Sequence, residues 1–175
     1  MDQRIFEDQP TGTEVYRYLG VPVFSNGVDK DRSHGQHFNS ENDYYYGQKW
    51  QCVEFVKRFY EQVLHYRMPH VWGHAKDYFD DRVGHGELNT RRGLLQFRNR
   101  GDDYPGVHDI LVFSDTQYGH VAIVTRVSSH CVEVVQQNIA GNPVESFGLT
   151  QANGTFFVHT PRTPLGWLRM KKPEK

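Results

Sequence analysis

Cysteine is scarce, with only Cys52 and Cys131 among 175 residues. The two sit in unlike contexts, so the disulfide framework that staples many small secreted domains is not the economical reading. Charge of one sign is lacking as well, since 20 Lys and Arg face 21 Asp and Glu for a net charge of −1. That balance leaves no electrostatic footprint for binding nucleic acid or an anionic membrane surface. No apolar run approaches the roughly 18 residues of a membrane-spanning helix, and residues 1–8 lack the charged-then-apolar order of a secretory signal. The expected setting is therefore the cytoplasm, unless export uses a route without a cleavable signal. Internal repeats, low-complexity tracts and linkers are also absent, so a single domain over residues 1–175 is expected. A chain of this length buries roughly 70% of its unfolded surface, enough for a self-sufficient core.

What is present reads as helix first and strands afterwards. Residues 1–46 are polar and turn-rich, with an apolar patch at 18–24 that suits one strand before a turn at 25–27. From 48 to about 66, Val53, Val56, Tyr60, Val63 and Leu64 recur at three- and four-residue steps, broadened by Phe55 and Phe59. Glu54, Lys57, Arg58, Glu61 and Gln62 fill the opposite face. Weaker helical patterns cover 71–81 and 90–99. After the turn residues 101–106 the segments 109–113, 120–127 and 131–138 are short and β-branched, and a last pair is expected at 154–159 and 167–170. Helices followed by an antiparallel meander define an α+β fold, with N-terminal helices packed on an antiparallel β-sheet.

Cys52 falls within the first turn or so of the strongest helix, where unbonded N–H groups and the positive dipole end favour an anion. A helix N-terminus lowers a thiol's pKa below its usual value of about 8.5, and the thiolate is the nucleophile. A lone cysteine is more commonly a small buried core residue, so position alone does not decide the matter. His120 shifts the balance, because it opens a strand directly after the flexible residues 115–119 and supplies the base that a cysteine nucleophile needs. The other histidines lack Cys or carboxylate companions at zinc-site intervals, so no metal is expected.

A base needs an orienting group. If residues 128–130 form a three-residue loop, Gln136 and Asn138 share the face of His120, Ala122 and Val124, and Gln137 faces away. A two-residue loop reverses this and puts Gln137 in their place.

Residues 47–59 (GQKWQCVEFVKRF), 109–113 (DILVF), 119–125 (GHVAIVT) and the pair Gln137 and Asn138 together resemble a CHAP domain. The likeness runs from about 20 to 167 and is nearest to the glutathionylspermidine amidase branch, through KWQCVEF, GHVAI and the closing Leu165-Gly166-Trp167. It implies a papain-like fold and a cysteine- and histidine-dependent amidohydrolase or peptidase that needs no cofactor. Carried over by position, the nucleophile is Cys52, the general base His120 and the orienting residue Gln136. The family has an acid at that last position. Glutamine can orient the ring through its carbonyl oxygen but cannot balance the imidazolium charge, so attenuated turnover is expected.

The implied reaction is acyl transfer through a thioester, with the Cys52 N–H and a side chain such as Gln51 or a tyrosine of 44–46 as oxyanion donors. Glu41, Asp43 and the aromatic rings of 44–46, Tyr46 included, suit a polyamine through ion pairs and cation–π contact. At Lys57, one turn along the helix, the resemblance implies a basic residue that meets a substrate carboxylate, and Asn138 is a supporting member. The expected substrate is a small amide, a glutathione–polyamine conjugate. The alternatives are a peptidoglycan amidase or endopeptidase, including a toxin, and a catalytically weakened binding module. Arg91, Arg92, Arg98 and Arg100 read as a solvated helix face and not as a nucleic-acid patch.

Overall fold

The computed structural model describes residues 9–28, 37–40, 42–139, 142–162 and 164–173. The chain divides into two compact units, Met1–Met68 with Val135–Glu145, and Pro69–Val134 with Ser146–Lys175. The class is α+β: among the described residues there is one α-helix and a mostly antiparallel set of strands.

In the first unit, the apolar patch at 18–24 is part of a hairpin and not one strand. β1 (Glu14–Tyr18) pairs antiparallel with β2 (Val21–Phe24), with Tyr18 opposite Val21. Leu19 at φ 46° and Gly20 at φ 81° connect them, the two left-handed residues whose twist matches that of the flanking strands. A second hairpin joins β3 (His37–Asn39) to β4 (Tyr45–Gln48). The helix α1 (Cys52–Leu64) starts later than expected because residue 48 still belongs to β4, and it ends at His65 in the left-handed conformation, φ 53°. Phe55, Val56, Phe59 and Tyr60 are buried as their spacing predicts. Glu54, Lys57 and Arg58, on the face expected to be polar, are buried too. The helix packs on β4 and β2, and Tyr18 stacks on Phe59 with ring centroids 5.5 Å apart. Gly47 permits the first of these contacts. At φ 139° it lies so near the helix that a Cβ there would sit 3.2 Å from the Glu54 Cα.

The second unit carries most of an eight-stranded sheet. Its strands are β5 (Glu87–Asn89), β6 (Leu94–Arg98), β7 (Ile110–Phe113), β8 (His120–Val127), β9 (Cys131–Val135), β10 (Val144–Ala152), β11 (Thr155–His159) and β12 (Pro164–Arg169). They lie in the order β11-β10-β9-β8-β7-β12-β6-β5. Leu111, Phe113, Ala122, Val124, Val132, Val134 and Trp167 share one buried cluster. Even-numbered residues of β8 and β9 thus fall on one side of the sheet, the parity that the three-residue connection 128–130 gives.

The helices expected over 71–81 and 90–99 are not found. The first reduces to a 3-10 turn, Ala75–Tyr78, where the Asp77 carboxylate accepts the His74 N–H at 2.7 Å. Within the second, Leu94–Arg98 is β6, paired with β12 on one side and β5 on the other. Sheet pairing and the burial of Leu94 and Gln96 override a weak helical preference there. The arginines read as a solvated helix face lie on no α-helix, and two of them stack on rings: Arg92 lies 3.8 Å from the Tyr78 centroid and Arg100 4.4 Å from that of Phe157.

Candidate active site

Cys52 is the first residue of α1, buried at 7% exposure, and neither cysteine is in a disulfide. Its neighbour Gln51 is the N-cap, in extended conformation at φ −78° and ψ 161°. At this end of a helix the first N–H groups have no helical carbonyl to bond, so the sulfur sits where backbone donors converge.

Side chains of the 135–145 segment grip the residue before the cysteine. Gln137 donates its Nε2 to the Gln51 backbone oxygen at 2.9 Å and to Glu54 Oε2 at 2.7 Å, and its Oε1 accepts the Phe24 N–H at 3.0 Å. Asn138 donates its Nδ2 to Gln51 Oε1 at 2.6 Å. The Asn138 Oδ1 accepts Asn26 Nδ2 at 3.0 Å, and Asn26 Oδ1 accepts the Trp50 backbone N–H at 3.1 Å. Below this, Arg58 donates to Glu54 Oε1 at 2.6 Å and to the Pro22 oxygen at 2.7 Å, with its guanidinium 5.2 Å from the Phe24 ring and 5.6 Å from that of Phe55. A small cavity of about 30 Å³, lined by Phe24, Asn26, Gln136, Gln137 and Asn138 among others, lies against the same amides.

Sequence reasoning names Asn138 and Gln51 as candidates and Gln137 as the alternative that a two-residue loop would give, but misses Asn26 and the Glu54–Arg58 pair. The i,i+4 spacing of Glu54 and Arg58 on the helix that starts at Cys52 is the available signal. Asn26 gives none, since Ser25-Asn26-Gly27 has the composition of an ordinary turn. Gln137 points its amide at the start of the helix.

His120 opens β8 in the second unit, at 7% exposure and opposite Phe113 of β7, whose ring centroid is 5.9 Å from that of the imidazole. Gly119 sets this entry. At φ 70° its Cβ would fall 2.5 Å from the Phe113 carbonyl oxygen and from the Lys76 Cβ, so only glycine lets the chain turn into the strand here. Arg162 lies 4.2 Å from the Phe113 ring centroid. Gln136, in the first unit, donates its Nε2 to Glu145 Oε2 at 2.8 Å and to the Asn142 oxygen at 3.2 Å.

Two other candidates, Tyr46 and Lys57, are committed to local structure. The Tyr46 hydroxyl is bonded to Glu61 at 2.8 Å, and burial first, then this carboxylate, pushes its pKa up to about 12. A phenol donating to a carboxylate is not an oxyanion donor, so Tyr46 does not fill that role. Lys57 is buried, donates to the Tyr45 oxygen and lies 4.8 Å from the Tyr44 ring centroid, with Arg67 at 5.3 Å from the same ring. The aromatic face expected to receive a polyamine is therefore filled by the protein's own cations. Asp43 is exposed in the turn between β3 and β4 at φ 57°, and Glu41 lies outside the described residues.

Among the described residues, His85, Asp102 and Asp103 bring metal-ligand types together. The His85 Nδ1 accepts the Arg98 N–H at 2.9 Å, so the neutral ring carries its proton on Nε2, 2.8 Å from Asp102 Oδ1. That is the arrangement of an imidazole–carboxylate pair. No helix among the described residues is long and apolar enough to cross a membrane.

Residues 42–138 match the CHAP domain. The chain is 31% identical over 154 residues to the bifunctional glutathionylspermidine synthetase/amidase of Escherichia coli (strain K12), covering 79% of this chain and 24% of that protein. The same protein of Shigella flexneri matches equally, with 31% identity over 154 residues. Over 101 residues it is 37% identical to the glutathionylspermidine synthase of Crithidia fasciculata, covering 53% of this chain and 14% of that one. The chain thus spans a quarter or less of the length of these curated relatives.

Proposed function

Since the chain belongs to the CHAP domain family and is an amidohydrolase of that cysteine-dependent kind, we propose that it cleaves the amide bond of a glutathione–polyamine conjugate, glutathionylspermidine, to glutathione and spermidine. In this reading the Cys52 sulfur attacks the amide carbonyl carbon, His120 takes the thiol proton and passes it to the departing amine, and a thioester forms. Water then attacks the thioester with His120 as base, which restores the thiol and releases the glutathionyl carboxylate. The Cys52 N–H and the Gln51 Nε2 receive the oxyanion. Gln136 orients the imidazole through its Oε1. Its Nε2 is held by Glu145 and Asn142, which fixes the amide so that the carbonyl end is turned the other way.

The observation that carries the reading is Cys52 as the first residue of a helix whose preceding residue is held on both backbone and side chain. A nucleophile on so constrained a turn is presented in one geometry, which acyl transfer rewards. The relatives' names supply the substrate class.

The test is turnover by purified protein of glutathionylspermidine and, separately, of peptidoglycan peptide fragments, with Cys52→Ala as control. Release of spermidine from the first alone, abolished in the variant, is expected. Cleavage of the fragments alone would assign a wall-lytic role, and turnover of neither, with iodoacetamide alkylation no faster than that of a small thiol, would leave a binding module.

A further inference from the structure

A carboxamide has a donor end and an acceptor end of nearly the same shape, so nothing in Gln51 itself decides which end faces a substrate oxygen. Its neighbours decide. The series starts at a group that can only donate, the Trp50 backbone N–H, which fixes Asn26 Oδ1 as its acceptor at 3.1 Å. Asn26 must then offer Nδ2 onward, and does so to Asn138 Oδ1 at 3.0 Å. Asn138 must in turn offer its own Nδ2, which reaches Gln51 Oε1 at 2.6 Å. Each link leaves the next amide a single orientation, and the last one turns the Gln51 Nε2 away from Asn138. Asn26 is only 4% exposed, so water does not compete readily for the first link of the series.

We propose that Asn26, acting through Asn138, is a positioning residue that sets the polarity of the Gln51 carboxamide, so that an N–H and not a carbonyl oxygen meets the developing oxyanion. This rests on the reading of Cys52 as the nucleophile of an amidase. An acceptor aimed at the oxyanion would repel it, so the direction of three amides has the same worth as the donor itself. The role differs from that of Gln137, which holds the Gln51 backbone without touching its side chain.

Asn26→Asp tests this with almost no change of shape. The new carboxylate still accepts the Trp50 N–H, but its other oxygen needs a donor from Asn138, which reverses both remaining amides. Loss of one oxyanion donor predicts a fall in kcat of about 10²–10³-fold with KM little changed. In a Gln51→Ala background the same substitution has no further effect on kcat, because there is no carboxamide left to orient. A merely structural role would lower kcat alike in both backgrounds, and that result, or unchanged kcat in the single variant, would overturn the proposal. If Asn26→Asp does not fold, Asn26→Ala measured in the two backgrounds separates the positioning role from the structural one in the same way. A peptide aldehyde separates this failure from failure of the amidase reading. If it forms no hemithioacetal with the unsubstituted protein, Cys52 is not the nucleophile assumed. If it binds the unsubstituted protein and Asn26→Asp equally well, Asn26 does not act on the oxyanion site.

Discussion

The Nε of Arg58 donates to Oε1 of Glu54 at 2.6 Å, one helical turn away, with both side chains sealed from water. The pair ties three pieces of chain together. Arg58 also reaches the Pro22 oxygen, and Glu54 accepts the Gln137 amide that holds the residue before Cys52. Breaking a buried pair from one side leaves a charge without compensation, which costs about 3–5 kcal/mol, whereas replacing both partners with apolar groups of similar size costs far less. Glu54→Gln is therefore expected to lower the unfolding free energy measured in urea by that order, and Glu54→Leu with Arg58→Met to recover most of the loss. Cys52 alkylation should change in Glu54→Gln as well, because the substituted amide meets the Gln137 Nε2 donor to donor.

Gly47→Ala asks whether the approach of β4 to the helix is needed. The new methyl would lie 3.2 Å from the Glu54 Cα and 3.3 Å from its nitrogen, both backbone atoms that cannot swing aside, at a φ of 139°. Overpacking against backbone costs about 1–3 kcal/mol. A fall in the unfolding free energy of that size, read from urea titration, is expected, together with slower thiol alkylation, since the strain falls on the first turn that carries Cys52. A variant as stable and as reactive as the parent would show that β4 can retreat without consequence.

How much of the fold and the site is legible in the sequence depends on whether a residue's role is local. The helix α1 is readable because Phe55, Val56, Phe59 and Tyr60 repeat at helical spacing, and β8 is readable as a β-branched run bounded by turn residues. The burial of the charges on α1 is not, because a helical pattern does not say that both faces will be covered: Glu54 and Arg58 are buried by partners 83 and 36 residues away. β6 is hidden because its pairing with β12 is equally remote. β10 does have a local signal, since Asn153 and Gly154 form a left-handed two-residue turn joining Ala152 to Thr155. Asn-Gly between two runs implies a strand on each side. The hairpin at Leu19 and Gly20 has the same geometry without the Asn that would announce it.

Two phenols, Tyr44 half-buried and Tyr46 buried, give the first unit an alkaline limit. Burial raises Tyr44 to about 12 from an ordinary 10.0. Tyr46 is likewise about 12, by burial first and the Glu61 hydrogen bond second. A group with a raised folded pKa favours the protonated native state, so its stabilisation is fully present below the unfolded pKa and is lost as pH climbs through the folded one. The urea midpoint should therefore fall between pH 10.0 and about 12 as the phenolates form. Tyr46→Phe should be less stable at neutral pH, by about 1 kcal/mol for the lost bond to Glu61, yet show a shallower alkaline decline. Phenolate absorbance followed beside the unfolding transition checks both, and a decline as steep in the variant would place the alkaline limit elsewhere.

Restoring an acid at position 136 is not a single substitution in this protein, because Gln136 already faces a carboxylate. Its Nε2 donates to Glu145 Oε2 at 2.8 Å. Gln136→Glu alone would set two carboxylates against each other, and one of them would have to take up a proton. The single variant is expected to lose stability and gain little in turnover. Exchanging the two residues, with Gln136→Glu and Glu145→Gln together, keeps one amide and one carboxylate in contact and moves the charge to position 136. If that position orients His120, the exchange stabilises the imidazolium, so kcat on the amide substrate should rise several-fold and the alkaline limb of the pH–rate profile should move upward. Were the exchanged protein as stable as the parent but unchanged in both kcat and pH profile, the orienting role would belong to another residue.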